Sequence, residues 1–117
     1  RRHEILRTTF ATRDGAPVQI VHPEPRIDFA YLPTGDPHAL AVHEAAHCFG
    51  LEKGPLLRVR LIRIAAEEHV LLLTAHHIIA DGWTLGRFFA ELSALYRAFC
   101  HKQPSPLPAP VLHYADY

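Results

Sequence analysis

The chain has 117 residues, 49% of them hydrophobic, and its twelve Lys and Arg balance twelve Asp and Glu. That is the length of one domain with enough apolar content for a core, which excludes disorder as the starting assumption, and the absence of a basic cluster excludes a nucleic-acid or anionic-membrane partner. Two cysteines, Cys48 and Cys100, make no disulfide framework and fit a cytoplasmic protein, while the longest apolar run, Val70 to Leu73, is too short to span a bilayer.

The first segment, RRHEILRTTF, is no signal peptide. LRTTFAT and PVQIVH flank Asp14-Gly15, a tight-turn pair between β-favouring runs, so Leu6 to His22 is expected to form a β-hairpin. Residues 23 to 35 hold three prolines and a glycine and are expected to cross irregularly, with a short strand at IDFAYL. Asp36 offers a helix cap, Pro37 a first-turn residue and Gly50 a stop, which predicts a helix over Pro37 to Phe49. Leu56 to Ile64 alternates, with Leu57, Val59 and Leu61 on one face and Arg58 and Arg60 on the other, as a strand covered on one side does. VLLLTA is apolar on both faces and is expected to be a central strand. From Thr84 to Cys100 the residues Leu85, Phe88, Phe89, Leu92, Leu95, Tyr96 and Phe99 recur at helical spacing and predict a long amphipathic helix. The Pro-rich stretch at 103–110 then reads as a stiff connector, and a chain that starts at Arg1 and stops just after it, at VLHYADY, reads as an excised fragment.

Two stretches could carry chemistry. HEAAH, His43 to His47, has the spacing that sets two imidazoles one helical turn apart as zinc ligands with a glutamate as general base, and Gly50 falls where the longer metzincin pattern has its glycine. The third ligand of that pattern would fall at Lys53, and an ammonium group does not ligate zinc. Glu67, Glu68 and Glu91 could substitute, but none sits in a recognisable motif. At 100° per residue His43 and His47 lie about 40° apart, opposite Ala41, Ala45, Cys48 and Phe49. The helix is therefore expected to bury its Ala/Cys/Phe face, leave the histidines in solvent and bind no metal.

The second stretch is HHIIADGWT. His76 and His77 stand where the apolar strand ends, and Asp81 and Gly82 where the amphipathic helix begins. A rigid strand fixes the backbone at such a place, and in extended chain only one of two adjacent side chains faces a given side. An ordinary imidazole titrates near pH 6.5 and can take a proton from an attacking amine or hydroxyl. Structural histidines followed by a capping aspartate would give the same residues.

HHIIADGWT resembles the HHxxxDG motif of the condensation domains of nonribosomal peptide synthetases, and RHEILRTTF resembles their RHExLRTxF motif. Between them DGAPVQIV is similar to the family's hairpin, and FGLEKGPLLRVRLIRI to its F-D-L-x-x-G-P-L-x-R stretch, with Gly50 where the family often has aspartate. The resemblance covers nearly the whole chain but only part of such a domain. It implies an α/β fold, an α+β sandwich with helices packed on a mixed sheet, as in one chloramphenicol-acetyltransferase-like half. Residues 1–117 would be a partial N-terminal subdomain, lacking its first strand and helix and the whole C-terminal half that completes the active-site tunnel. The implied reaction is amide formation between aminoacyl or peptidyl thioesters tethered to the phosphopantetheine arms of donor and acceptor carrier domains, beside an adenylation domain, with no bound cofactor. His77 matches the catalytic position, His76 a supporting one, and Gly82 a position whose N–H helps stabilise the oxyanion. Asp81 matches an aspartate held by an arginine of the first motif, implying Arg7 or Arg2 as partner. The paired histidines speak against heterocyclisation, where an aspartate replaces them, and Trp83 after Asp-Gly favours condensation over epimerisation. The remaining alternatives are ester-forming or coenzyme-A-dependent relatives with the HHxxxDG motif, and a remnant that only docks partners.

Overall fold

A computed structural model describes residues 2–109, so VLHYADY lies outside the described residues. A short 3-10 turn, Glu4–Arg7, leads into β1 (Thr8–Arg13), which pairs antiparallel with β2 (Ala16–Val21) from Thr8↔Val21 to Arg13↔Ala16. Asp14 (φ 52°) and Gly15 (φ 79°) are both left-handed, as a two-residue hairpin turn matched to strand twist requires. The hairpin starts two residues later than expected: Leu6 and Arg7 belong to the 3-10 turn, where Leu6 N–H bonds His3 O at 3.2 Å.

The second sheet has the order β3-β4-β5, from β3 (Asp28–Leu32), β4 (Leu57–Arg63) and β5 (His69–Ala75). β3 runs parallel to β4, and β4 antiparallel to β5. The parallel pair requires a crossover, and α1 (Pro37–Ala45) lies within it. Asp36 caps α1 by accepting from His38 N–H at 2.9 Å, and Pro37 follows, as the sequence predicts. β4, not β5, is the central strand, and among the described residues β5 pairs with β4 alone.

Helix α1 stops at Ala45, well short of Phe49. Beyond it the chain turns toward the sheet: His47 Nδ1 lies 2.6 Å from Arg58 Nη1, and Phe49 packs against the core of Leu56, Leu57 and Ile79. Gly50 therefore does not end the helix; its carbonyl accepts Gly54 N–H at 2.8 Å in the following loop. Gly54 is left-handed (φ 56°), and a Cβ there would lie 3.0 Å from Thr9 Cγ2, so both backbone and space demand glycine.

The face that α1 buries also differs from expectation. Ala45 and Cys48 are exposed, whereas Glu44 is 2% exposed and faces β4. The arginine side of β4 is the reason. Arg58 and Arg60 project together from one face of the strand, and Glu44 comes down between them as their counter-ion. A polar face that reads as solvated is thus covered by a helix.

α2 (Gly82–Cys100) starts at the far end of β5. Its side chains Thr84, Phe88, Glu91, Leu95 and Ala98 are half-buried, while Leu85, Phe89, Leu92, Tyr96 and Phe99 form a second stripe at the same spacing that stays exposed. The radius of gyration, 15.9 Å, exceeds the roughly 13 Å of a closed domain of this length.

Candidate functional site

The residues after β5 form a turn held by His76. Its N–H donates to Leu56 O at 3.0 Å, its carbonyl accepts Ile79 N–H at 3.0 Å, and its ring Nδ1 accepts Ile78 N–H at 3.1 Å. The last bond requires an unprotonated Nδ1, so the neutral ring carries its proton on Nε2. Ile79, 4% exposed, pins the other end of the turn in the core. Adjacent side chains point apart: His76 is half-buried, and His77 projects into solvent with no hydrogen-bond or ion-pair partner among the described residues. One imidazole builds the turn, and the other is presented by it.

Asp81 caps α2, accepting from Thr84 N–H at 2.8 Å and from Thr84 Oγ1 at 2.7 Å. The backbone N–H first, and then the hydroxyl, hold its carboxyl below the ordinary 3.8. Asp81 is exposed, and neither arginine of the first motif reaches it. Arg7 donates Nη2 to Glu4 at 2.8 Å and Nη1 to His22 O, with Nε buried and unpartnered. Arg2 donates Nε to Glu91 at 3.1 Å and Nη1 to Pro108 O. The expected Arg–Asp81 pair is therefore not formed, because each arginine is engaged by a carboxylate nearer to it. Gly82 opens α2, and a Cβ there would meet nothing within 4 Å.

Glu91, which the sequence offered only as a substitute zinc ligand, has a different role. Its Oε2 also lies 2.7 Å from His3 Nε2, so the first motif grips α2 in mid-helix. Burial raises the Glu91 pKa, but the hydrogen bonds from His3 and Arg2 and their charge outweigh it and bring it below the ordinary 4.5. The signal was present: Glu91 falls on the same helical face as Thr84, Phe88 and Leu95, where a lone carboxylate implies a cation opposite.

The zinc-like stretch is arranged for something else. Glu44 accepts from Arg58 Nη2 at 2.8 Å and Arg60 Nε at 3.3 Å, while Arg60 also forks onto Asp28 with Nη1 and Nη2 at 2.9 and 2.8 Å. Arg58 Nε lies 2.7 Å from Glu44 Oε2, an ion contact too poorly aligned to count as a hydrogen bond. His43 points into solvent, and His47 lies beyond the end of α1. The glutamate faces the sheet, away from the space a substrate of the two histidines would occupy. Among the described residues no three His, Cys, Asp or Glu side chains converge as a metal site would require.

Behind the turn, Leu57, Leu73, Ile79 and Phe88 line an apolar crevice of about 20 Å³, too small for a substrate. A larger cleft of about 580 Å³ lies at the other end of α2, between Arg97, His101 and Pro104, and shares no residue with the histidine turn. Within this chain the turn is thus an open surface, and no enclosed cavity surrounds His77 among the described residues. No helix of the described residues is long and apolar enough to cross a membrane.

Comparison with known proteins joins these observations. Residues 1–117 match the family model described as the Condensation domain. The chain is 46% identical to part of chondramide synthase from Chondromyces crocatus and 44% identical to part of a linear gramicidin synthase from Brevibacillus parabrevis, in each case over 100% of its own length. It spans only 3% and 2% of those relatives. Among solved structures it superposes on the epimerization domain from the third module of tyrocidine synthetase B (TM-score 0.80, 27% identity, 97% of this chain, 28% of that one). It also superposes on the X-domain in its complex with OxyB from teicoplanin biosynthesis (TM-score 0.81, 31% identity, 99% of this chain, 26% of that one).

Proposed function

This chain belongs to the condensation-domain family, and on that premise we propose that it is the N-terminal part of a longer catalytic domain that forms amide bonds in nonribosomal peptide synthesis in the cytoplasm. The observation that carries this reading is the turn itself: His76 spends its hydrogen bonds on the backbone, and His77 stands free beside the start of α2. The fold, α/β with helices on a mixed sheet, agrees with that of the family.

In the proposed reaction the acceptor's amine nitrogen attacks the thioester carbonyl of the donor. Both substrates reach the site on phosphopantetheine arms of carrier domains, charged by an adenylation domain. The carbon–nitrogen bond forms as the carbonyl π electrons move to oxygen. Collapse of that oxyanion breaks the carbon–sulfur bond, and the donor's thiolate leaves. His77 Nε2 or Nδ1 accepts or orients the amine proton, which passes on to the departing sulfur. The oxyanion forms near the start of α2, where Gly82 N–H supplies a donor and the helix dipole favours negative charge. The rest of the domain encloses this open face and excludes water.

The test is carried out in the complete synthetase with carrier-bound donor and acceptor. His77→Ala should lower amide formation by about 100- to 10,000-fold and leave the melting temperature unchanged, since the exposed side chain has no hydrogen-bond or ion-pair partner among the described residues. Full activity in that variant would refute the role given to His77. Hydrolysis or ester formation in place of amide would refute the reaction.

A further inference from the structure

His77 has no hydrogen-bond, ion-pair or ring partner among the described residues, so its direction is set by the turn, and the turn is held by His76. The three bonds of His76 fix its backbone and one ring nitrogen. They leave the outer side of the ring to be held by packing. That packing comes from Phe49, whose ring meets His76 edge to face at 6.1 Å and 89°. Within the range of favourable aromatic pairs, such a contact constrains both tilt and position. Phe49 is itself fixed on two sides: it packs against the Leu56–Leu57–Ile79 core, and His47 meets it edge to face at 5.1 Å and 89°. His47 in turn lies on Arg58, within the ion cluster beneath α1. The premature end of α1 is what brings Phe49 to this place.

The geometry points to Phe49 as a positioning residue for amide formation, one that aims His77 by bracing the His76 ring. It touches no substrate. A branched aliphatic side chain of similar volume would fill the core without reproducing the ring contact, and a misplacement of about 1 Å in a catalytic group costs on the order of a hundredfold in rate.

This inference rests on the function proposed above, and the experiment separates the two. In the complete synthetase, Phe49→Leu is compared with unaltered protein and with Leu51→Ala, which removes a neighbouring core contact but no ring from His76. Phe49→Leu is expected to lower kcat for amide formation roughly ten- to hundredfold, with KM for the acceptor-loaded carrier within about twofold and the folded fraction preserved. Leu51→Ala is expected to lower the melting temperature while keeping kcat per folded molecule. If Phe49→Leu retains kcat within about threefold, loses it only in step with its folded fraction, or is matched by Leu51→Ala, Phe49 is a structural residue and the inference is overturned. If the unaltered synthetase forms no amide, the proposed function fails and this inference with it.

Discussion

Helix α1 meets the sheet through charges that find their partners inside the chain, whereas α2 keeps one of its two apolar stripes in solvent. Under α1, Glu44, Arg58, Arg60 and Asp28 form a closed set drawn from three elements. On α2 the exposed stripe runs from Leu85 to Phe99, with Tyr96 70% exposed, and the helix is tied down by Asp81 at its start and by Arg2 and His3 at Glu91. The first region is complete in the residues at hand. The second presents an apolar stripe that the described residues leave uncovered. The histidine turn lies between them, with Phe49 against His76 on the α1 side and Asp81 opening α2.

The largest effect should come from the closed region. Glu44→Ala strands two guanidinium groups beneath α1, and breaking a buried ion set from one side typically costs about 3 to 5 kcal/mol. Thermal or urea unfolding measures it, and a loss below about 1 kcal/mol would show the cluster to be dispensable. On the other side of the comparison, Glu91→Ala should cost roughly 1 to 3 kcal/mol, the worth of a charged hydrogen bond left unmade. In hydrogen exchange the loss should appear in α2 and not in the β3-β4-β5 sheet.

Acid should act on both regions through carboxylates with lowered pKa. The hydrogen bond from Arg60 is the main reason that Asp28 titrates below its ordinary 3.8, with partial burial opposing it. Because Asp28 and Glu91 are lowered on folding, their stabilisation is fully present above the ordinary values of 3.8 and 4.5 and is lost as pH falls through the lower folded values. The melting temperature should therefore hold from neutrality to about pH 5 and decline below about pH 4. Asp28→Asn should blunt that decline.

The smallest effect is expected at Asp81. An exposed cap that bonds Thr84 contributes to the start of α2 alone, so Asp81→Ala should lower the melting temperature far less than Glu44→Ala. Since Arg7 does not touch Asp81, the losses from Asp81→Ala and Arg7→Ala should add. A strong coupling between them in unfolding measurements would restore the ion pair that the family motif implies.

What the sequence disclosed was mostly local. Asp14-Gly15 marks the hairpin because both positions need left-handed backbone, and Asp36-Pro37 marks a helix start because cap and first-turn preferences act within three residues. The motif HHIIADG likewise placed the turn between β5 and α2, and the family it suggested is the one the chain belongs to. Misreadings arose where a residue's environment is set by a distant element. Because its counter-ions lie 14 and 16 residues away on β4, Glu44 reads in the sequence only as the general base of a zinc pattern that is set aside. VLLLTA looked central because a strand apolar on both faces usually is, yet register gives that place to β4. Asp81 and Arg7 looked like partners, but capping and a nearer glutamate compete successfully for them.

Arg2 reaches the carbonyl of Pro108, so two points more than a hundred residues apart along the chain meet in space. Where two distant points of a chain touch, a graft with both joints there disturbs one patch of surface. An exchange whose joints lay beside Arg2 and Pro108 would carry the Glu44 cluster, Phe49 and the histidine turn together.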